Sequence, residues 1–172
     1  SNVNVSTSNS PSGAAYGLEI AYTSADTTNG LVENCSFNNV SSATTTTAAG
    51  VSLSGVSDFT FRNCSANGNS GDDFVYGFAL QTQANTSNRF VNCEATGNTS
   101  STTTAADMVA GFAQPLAANN NNRFENCIAN GNNITGAGNA TIAAGFYSLA
   151  SQGLIYEGCK ANANTNGSAG GI

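Results

Sequence analysis

The chain has 172 residues, and its four basic residues against ten acidic ones give a net charge of −6. That balance excludes partners bound by neutralising phosphate, so nucleic acid and anionic membrane surfaces are not expected. No run approaches the roughly 18 apolar residues of a spanning helix, so membrane insertion is not expected, and the lack of histidine excludes Ser-His-Asp and Cys-His nucleophile pairs.

From the N-terminus, residues 1–13 are polar apart from Val3 and Val5, whose spacing of two predicts a short strand. Ala15-Tyr16-Gly17-Leu18-Glu19-Ile20 alternates after its glycine, the period of a half-buried strand. Residues 21–30 read as a loop closing on Asn29-Gly30, and Val32-Glu33-Asn34-Cys35-Ser36-Phe37 follows. Then come a Thr-rich arc at 41–47 and a new glycine phrase, Ala49-Gly50-Val51-Ser52-Leu53. The glycine phrase returns at Tyr76-Gly77-Phe78-Ala79-Leu80, Ala110-Gly111-Phe112, Ala144-Gly145-Phe146 and Gly170-Gly171-Ile172. The cysteine phrase returns around Cys64, Cys93, Cys127 and Cys159, in steps of 29, 29, 34 and 32 residues. Polar stretches at 67–73, 98–107 and 130–141 occupy the place of 41–47 and are expected to line one hydroxyl- and amide-rich flank, with room for a short turn at 104–110.

Self-similarity at this period signals stacked coils. Three before each cysteine stand Val32, Phe61, Phe90, Phe124 and Tyr156; two after stand Phe37, Ala66, Ala95, Ala129 and Ala161. Residues two apart share a face of a strand, but residues three apart do so only if the chain turns between them. The residue before the cysteine is Asn34, Asn63, Asn92, Asn126 or Gly158, the types that best tolerate a left-handed backbone. The prediction is strand, one-residue corner, strand, with aromatic, cysteine and small residue all inward.

These phrases resemble the right-handed parallel β-helix superfamily of pectate lyases, polygalacturonases and phage tailspikes, and most closely its Asn-rich β-helix-repeat surface proteins. The resemblance implies an all-β, single-stranded right-handed parallel β-solenoid of about five to six coils with Cys, aromatic and Asn ladders. One domain over 1–172 is expected, with 1–13 and 170–172 as partial coils and 14–169 as stacked coils. The expected ladder is Cys35, Cys64, Cys93, Cys127 and Cys159 with Phe61, Phe90, Phe124, Tyr156 and Asn34, Asn63, Asn92, Asn126. Five cysteines at one inward position suit a column of free thiols acting as small hydrophobes better than disulfide pairs, and the lack of C-x-x-C or histidine argues against zinc.

No catalytic set is found, and no cofactor is expected. Gly71-Asp72-Asp73 resembles one element of polygalacturonase-like hydrolases, but the Asn-Thr-Asp, Gly-His-Gly and Arg-Ile-Lys elements are missing. Its acids read as backbone caps, or at most a surface calcium pair. Glu33 beside Arg62 reads as a surface ion pair, and Asn39, Asn85, Asn98, Asn133 and Asn139 stand in N-x-S/T sequons. The leading expectation is a processed extracellular or cell-surface structural subunit, not an enzyme, whose copies stack head to tail into a filament. The junction would bring Val3 and Val5 against Gly171 and Ile172. The alternative is a glycan-binding adhesin or tailspike-like module, with Tyr22, Phe74 and Tyr147 as the aromatic candidates. A polysaccharide-cleaving enzyme or a threonine-rich ice-binding face is less favoured.

Overall fold

The computed structural model describes residues 4–5, 8–10, 13–21, 27–43, 46–101, 108–116, 118–136 and 142–166. All regular structure among them is β-strand, and every strand pairing is parallel. Three sheets run along a β-solenoid. The aromatic sheet stacks Leu31–Glu33, Thr60–Arg62, Arg89–Val91, Arg123–Glu125 and Ile155–Glu157. The hydroxyl sheet stacks Ser8–Ser10, Val40–Ser42, Ser70–Gly71, Thr99–Ser100, Asn133–Ile134 and Thr165–Asn166. The glycine sheet stacks Ala15–Ala21, Ala48–Ser54, Val75–Leu80, Met108–Gln114 and Ile142–Ser148.

The five strands of the glycine sheet enclose about four turns, slightly fewer than the five to six coils expected. Among the described residues, the partial coil before Gly13 supplies strands to the hydroxyl sheet and to a short pair, Asn4–Val5 with Ser36–Phe37, but to neither of the other two long sheets. The arcs at 41–47, 67–73 and 98–107 contain short paired strands, where the threonines of 41–47 allowed either an outer strand or a flexible arc and 67–73 was expected to be a polar loop. Residues 102–107 lie outside the described residues, and Met108–Ala110 is strand.

The corner expected before each cysteine is present: φ is +55° at Asn34, +52° at Asn63 and Asn92, +51° at Asn126 and +62° at Gly158. Two more left-handed columns flank it. Asn29, Asp58, Ser87, Asn121 and Gly153 stand six before the cysteines, and Asn39, Gly68, Gly97, Gly131 and Ala163 stand four after. Left-handed residues thus recur every five positions, each re-aiming a short strand so that the chain wraps round a narrow interior.

That interior is filled by side chains of matching size. Phe61, Phe90, Phe124 and Tyr156 form one stacked column, with centroids 5.1, 4.9 and 5.1 Å apart. Phe78, Phe112 and Phe146 form a second at 5.0 Å spacing, meeting the first edge to face at 5.3–6.1 Å. Burying each ring contributes about 1.5–3 kcal/mol, and each aromatic pair adds roughly 0.5–1.5 kcal/mol. Such tight wrapping leaves no room for a Cβ where the glycine sheet meets the small residues after the cysteines. At Gly111 a Cβ would stand 2.7 Å from Ala129 Cβ and 2.8 Å from the Gly145 carbonyl oxygen.

Candidate functional site

The five thiols form the anticipated column, and all are free. Cys35, Cys64, Cys93 and Cys127 are buried, and Cys159 is half-buried. Each of the later four donates to the carbonyl of the aromatic-column residue one coil back: Cys64 to Val32, Cys93 to Phe61, Cys127 to Phe90 and Cys159 to Phe124, at 3.4–3.5 Å. A hydrogen bond from Cys93 brings Cys64 down to about 7. Hydrogen bonding to Cys127 and Cys64, then burial, pushes Cys93 far up.

The corner asparagines were expected to be engaged in the stack. They are exposed, yet Asn63 donates to Asn34 and Asn92 to Asn63, at 3.1 and 3.3 Å. Sequence reasoning missed the buried amide ladder. Asn69, Asn98 and Asn132 are fully buried, and each side-chain oxygen accepts from the backbone N–H of its counterpart one coil back. The three side chains also bond in series, Asn69 to Asn98 at 2.8 Å, Asn98 to Asn132 at 2.8 Å and Asn132 to Asn164 at 2.9 Å. Asn85 with Asn119, and Asn88 with Asn122, repeat the device at other corners. Its signal was legible: five residues after four of the cysteines stands an Asn, and after Cys35 stands Val40.

This ladder corrects two sequon readings. Asn85 and Asn98 are fully buried and bonded through their amides, so neither is open to a glycan. Asn39 is exposed, Asn133 is half-buried and accepts from Thr165, and Asn139 lies outside the described residues.

Three surfaces remain as candidates for function. The first is the flank of the aromatic sheet. Glu33 pairs with Arg62 at 2.9 Å, Arg89 with Glu125 at 2.6 Å, and Arg123 with Glu125 and Glu157 at 2.5 and 2.7 Å. The Arg89 guanidinium holds the Glu125 carboxyl below its usual range. Apart from Arg123 with Glu125, which share a strand, these charges pair between successive coils.

The second is the hydroxyl sheet, where Ser41, Ser70, Thr99, Asn133 and Thr165 stand in register. Beside them Ser42, Ser70, Gly71, Asp72, Thr99, Ser101 and Thr135 line a depression of about 180 Å³. Asp72 was expected to cap backbone N–H groups. Its exposed carboxylate instead accepts from Ser101 Oγ at 2.6 Å, one coil on. Asp73 lies close enough to Tyr76 that its charge, after burial, raises the phenol. Among the described residues no three His, Cys, Asp or Glu side chains come together as a metal-holding group.

The aromatic candidates for glycan contact do not form a free platform. Ala79 lies between Phe78 and Leu80, which face the main core, so it points to the other side of the glycine sheet. There Ala49, Tyr76, Ala79, Met108, Ala110 and Ala113 are buried as a second apolar cluster, with Phe74 and Tyr147 packed half-buried against it. Tyr22 lies outside the described residues.

The third surface is the coil edge carrying Ile142–Ser148, Ile155–Glu157 and Thr165–Asn166, each the last strand of its sheet among the described residues. Leu149, Ile155 and Tyr156 are 49, 44 and 43% exposed, whereas Phe61, Phe90 and Phe124 in the same column as Tyr156 are fully buried. On the opposite edge Leu31 is 60% exposed, with Leu18 and Val32 partly buried. Val3, Gly171 and Ile172 lie outside the described residues, and Val5 sits in a strand in register with Phe37.

No curated protein and no solved structure matches this chain. The model of the family described as "right handed beta helix region" matches residues 1–171. With that match over nearly its whole length, and with parallel coils built on repeating corners, the chain belongs to the right-handed β-helix family.

Proposed function

We propose that this β-helix is a non-catalytic structural subunit, extracellular or at a cell surface, whose copies add coil on coil, head to tail. The observation that supports it most is the apolar edge at Leu149, Ile155 and Tyr156. In a repeat array the two edges of a coil are the two halves of the same ladder, so the trailing edge of one copy is complementary to the leading edge of another. A contact of that kind does not close on itself and propagates into a fibre. Strand pairing supplies the affinity, and the phenylalanine, cysteine and asparagine columns supply the register. Negative-stain microscopy of the purified chain at several concentrations tests this. Thin filaments that lengthen with concentration, and that are lost in Tyr156→Asp and on removal of residues 1–10, are expected. Dispersed short rods at every concentration would overturn the reading.

A second reading, a glycan-binding module, draws on the depression at Asp72. Stacked hydroxyls and one exposed carboxylate offer hydrogen bonds to a neutral polyol without a charge requirement. A glycan array on wild type and Asp72→Ala checks it. Equal signal from the two proteins would remove this reading.

A further inference from the structure

We propose that the thiol column is a binding site for soft, two-coordinate d10 cations of the Cu(I) and Ag(I) class, each held linearly between sulfurs of successive coils, with the pair Cys127 and Cys159 filled first. The geometry is set by the stack. Parallel strands of successive coils lie about 4.7–4.9 Å apart, and the cysteines stand at one position of the repeat, followed by the in-register bridges Ser36 to Ser65, Ser65 to Glu94, Glu94 to Ile128 and Ile128 to Lys160. Two metal–sulfur bonds of about 2.3 Å, the zinc–thiolate length, placed end to end span about 4.6 Å. A cation midway between two rungs therefore meets both sulfurs at bonding length without moving either strand. It occupies the line of the free-thiol column.

The chemistry selects the ion. Thiolate ligands favour soft cations. Only two sulfurs flank each gap, so Zn(II), which takes four ligands, is not satisfied there. Binding is M⁺ + 2 RSH → [M(SR)₂]⁻ + 2 H⁺, with both protons released to solvent. The complex is anionic, so it forms first where water reaches it. Cys159 is half-buried while the other four are buried, which makes the Cys127–Cys159 gap the entry point.

The probe is silver nitrate titrated into the reduced chain in chloride-free buffer, followed by native mass spectrometry, proton release and X-ray absorption at the silver edge. The expected result is a first equivalent bound with two protons released, two sulfur neighbours at a single short distance, and an unchanged circular-dichroism spectrum. Cys159→Ser and Cys127→Ser each lose this first equivalent at least tenfold in affinity, and Cys35→Ser retains it. Zn(II) at the same concentration does not bind. Equal weakening in Cys35→Ser, a single sulfur neighbour, or loading only with loss of the β spectrum would overturn the assignment. Each of those results leaves the stacking reading untouched, because filament formation is scored separately by microscopy of the metal-free chain.

Discussion

Replacing Asn98 by Val tests whether the buried amide ladder, and not apolar packing alone, holds the coils in register. Val is close to Asn in volume and stands naturally at the equivalent place in the first full coil, Val40. In Asn98→Val the backbone N–H of Asn69 loses its acceptor, a bond of 3.1 Å, at a fully buried site. The Asn69 side-chain amide keeps Ala66 and Tyr76 carbonyls at 3.3 Å, so it is not orphaned. The Asn132 oxygen keeps the Asn98 backbone N–H at 3.2 Å. The cost is therefore one orphaned buried donor, about 1–3 kcal/mol, plus the two side-chain bonds to Asn69 and Asn132 worth about 1 kcal/mol each, giving roughly 3–5 kcal/mol. Urea unfolding followed by far-ultraviolet circular dichroism measures it, with the m-value checking that the array still unfolds as one unit. The exposed corner Asn92→Gly, which loses only a 3.3 Å surface amide contact, is the control and should stay within about 0.5 kcal/mol of wild type. If Asn98→Val were equally mild, the ladder would be incidental to stability.

Three further outcomes are expected. Gly111→Ala, whose Cβ would meet Ala129 and the Gly145 carbonyl, should prevent folding or lower the melting temperature far more than Gly97→Ala. At Gly97 nothing stands within 4 Å and only the left-handed φ of +63° is strained, at about 1–2 kcal/mol. Phe90→Ala removes the ring between Phe61 and Phe124 and should cost about 3–5 kcal/mol by the same assay. Glu125, its carboxyl held down first by the Arg89 hydrogen bond, stabilises the fold above the ordinary glutamate pKa of about 4.3 and loses that contribution as pH falls through its lower folded value. In a pH series the wild type should therefore be flat from 7 to about 5 and decline below about 4. Glu125→Gln should lack its share of that decline, a small one because the pair is at the surface.

Much of this architecture is written in one position of the repeat. Asn34, Asn63, Asn92, Asn126 and Gly158 announce a left-handed corner because few other residues tolerate one, and a corner between an aromatic and a cysteine determines which side chains turn inward. From that the amino-acid sequence determined the parallel coil, the free-thiol column and the inward phenylalanines. Tertiary structure alone decided the rest. Ser87 and Ala163 adopt left-handed corners that their types do not advertise, because five-residue spacing in the neighbouring coils imposes them. Asn85 and Asn98 look like exposed sequons in one dimension and are buried rungs in three, because an amide that satisfies its neighbour's N–H is stable only when another coil supplies that N–H. Tyr147 and Phe74 read as free aromatics and pack against the cluster that holds Tyr76, Phe74 from the same coil and Tyr147 from a later one. A chain read residue by residue carries its corners within it, but the partners that bury a polar group or a ring arrive from some thirty residues away, and only closing the coil brings them into contact.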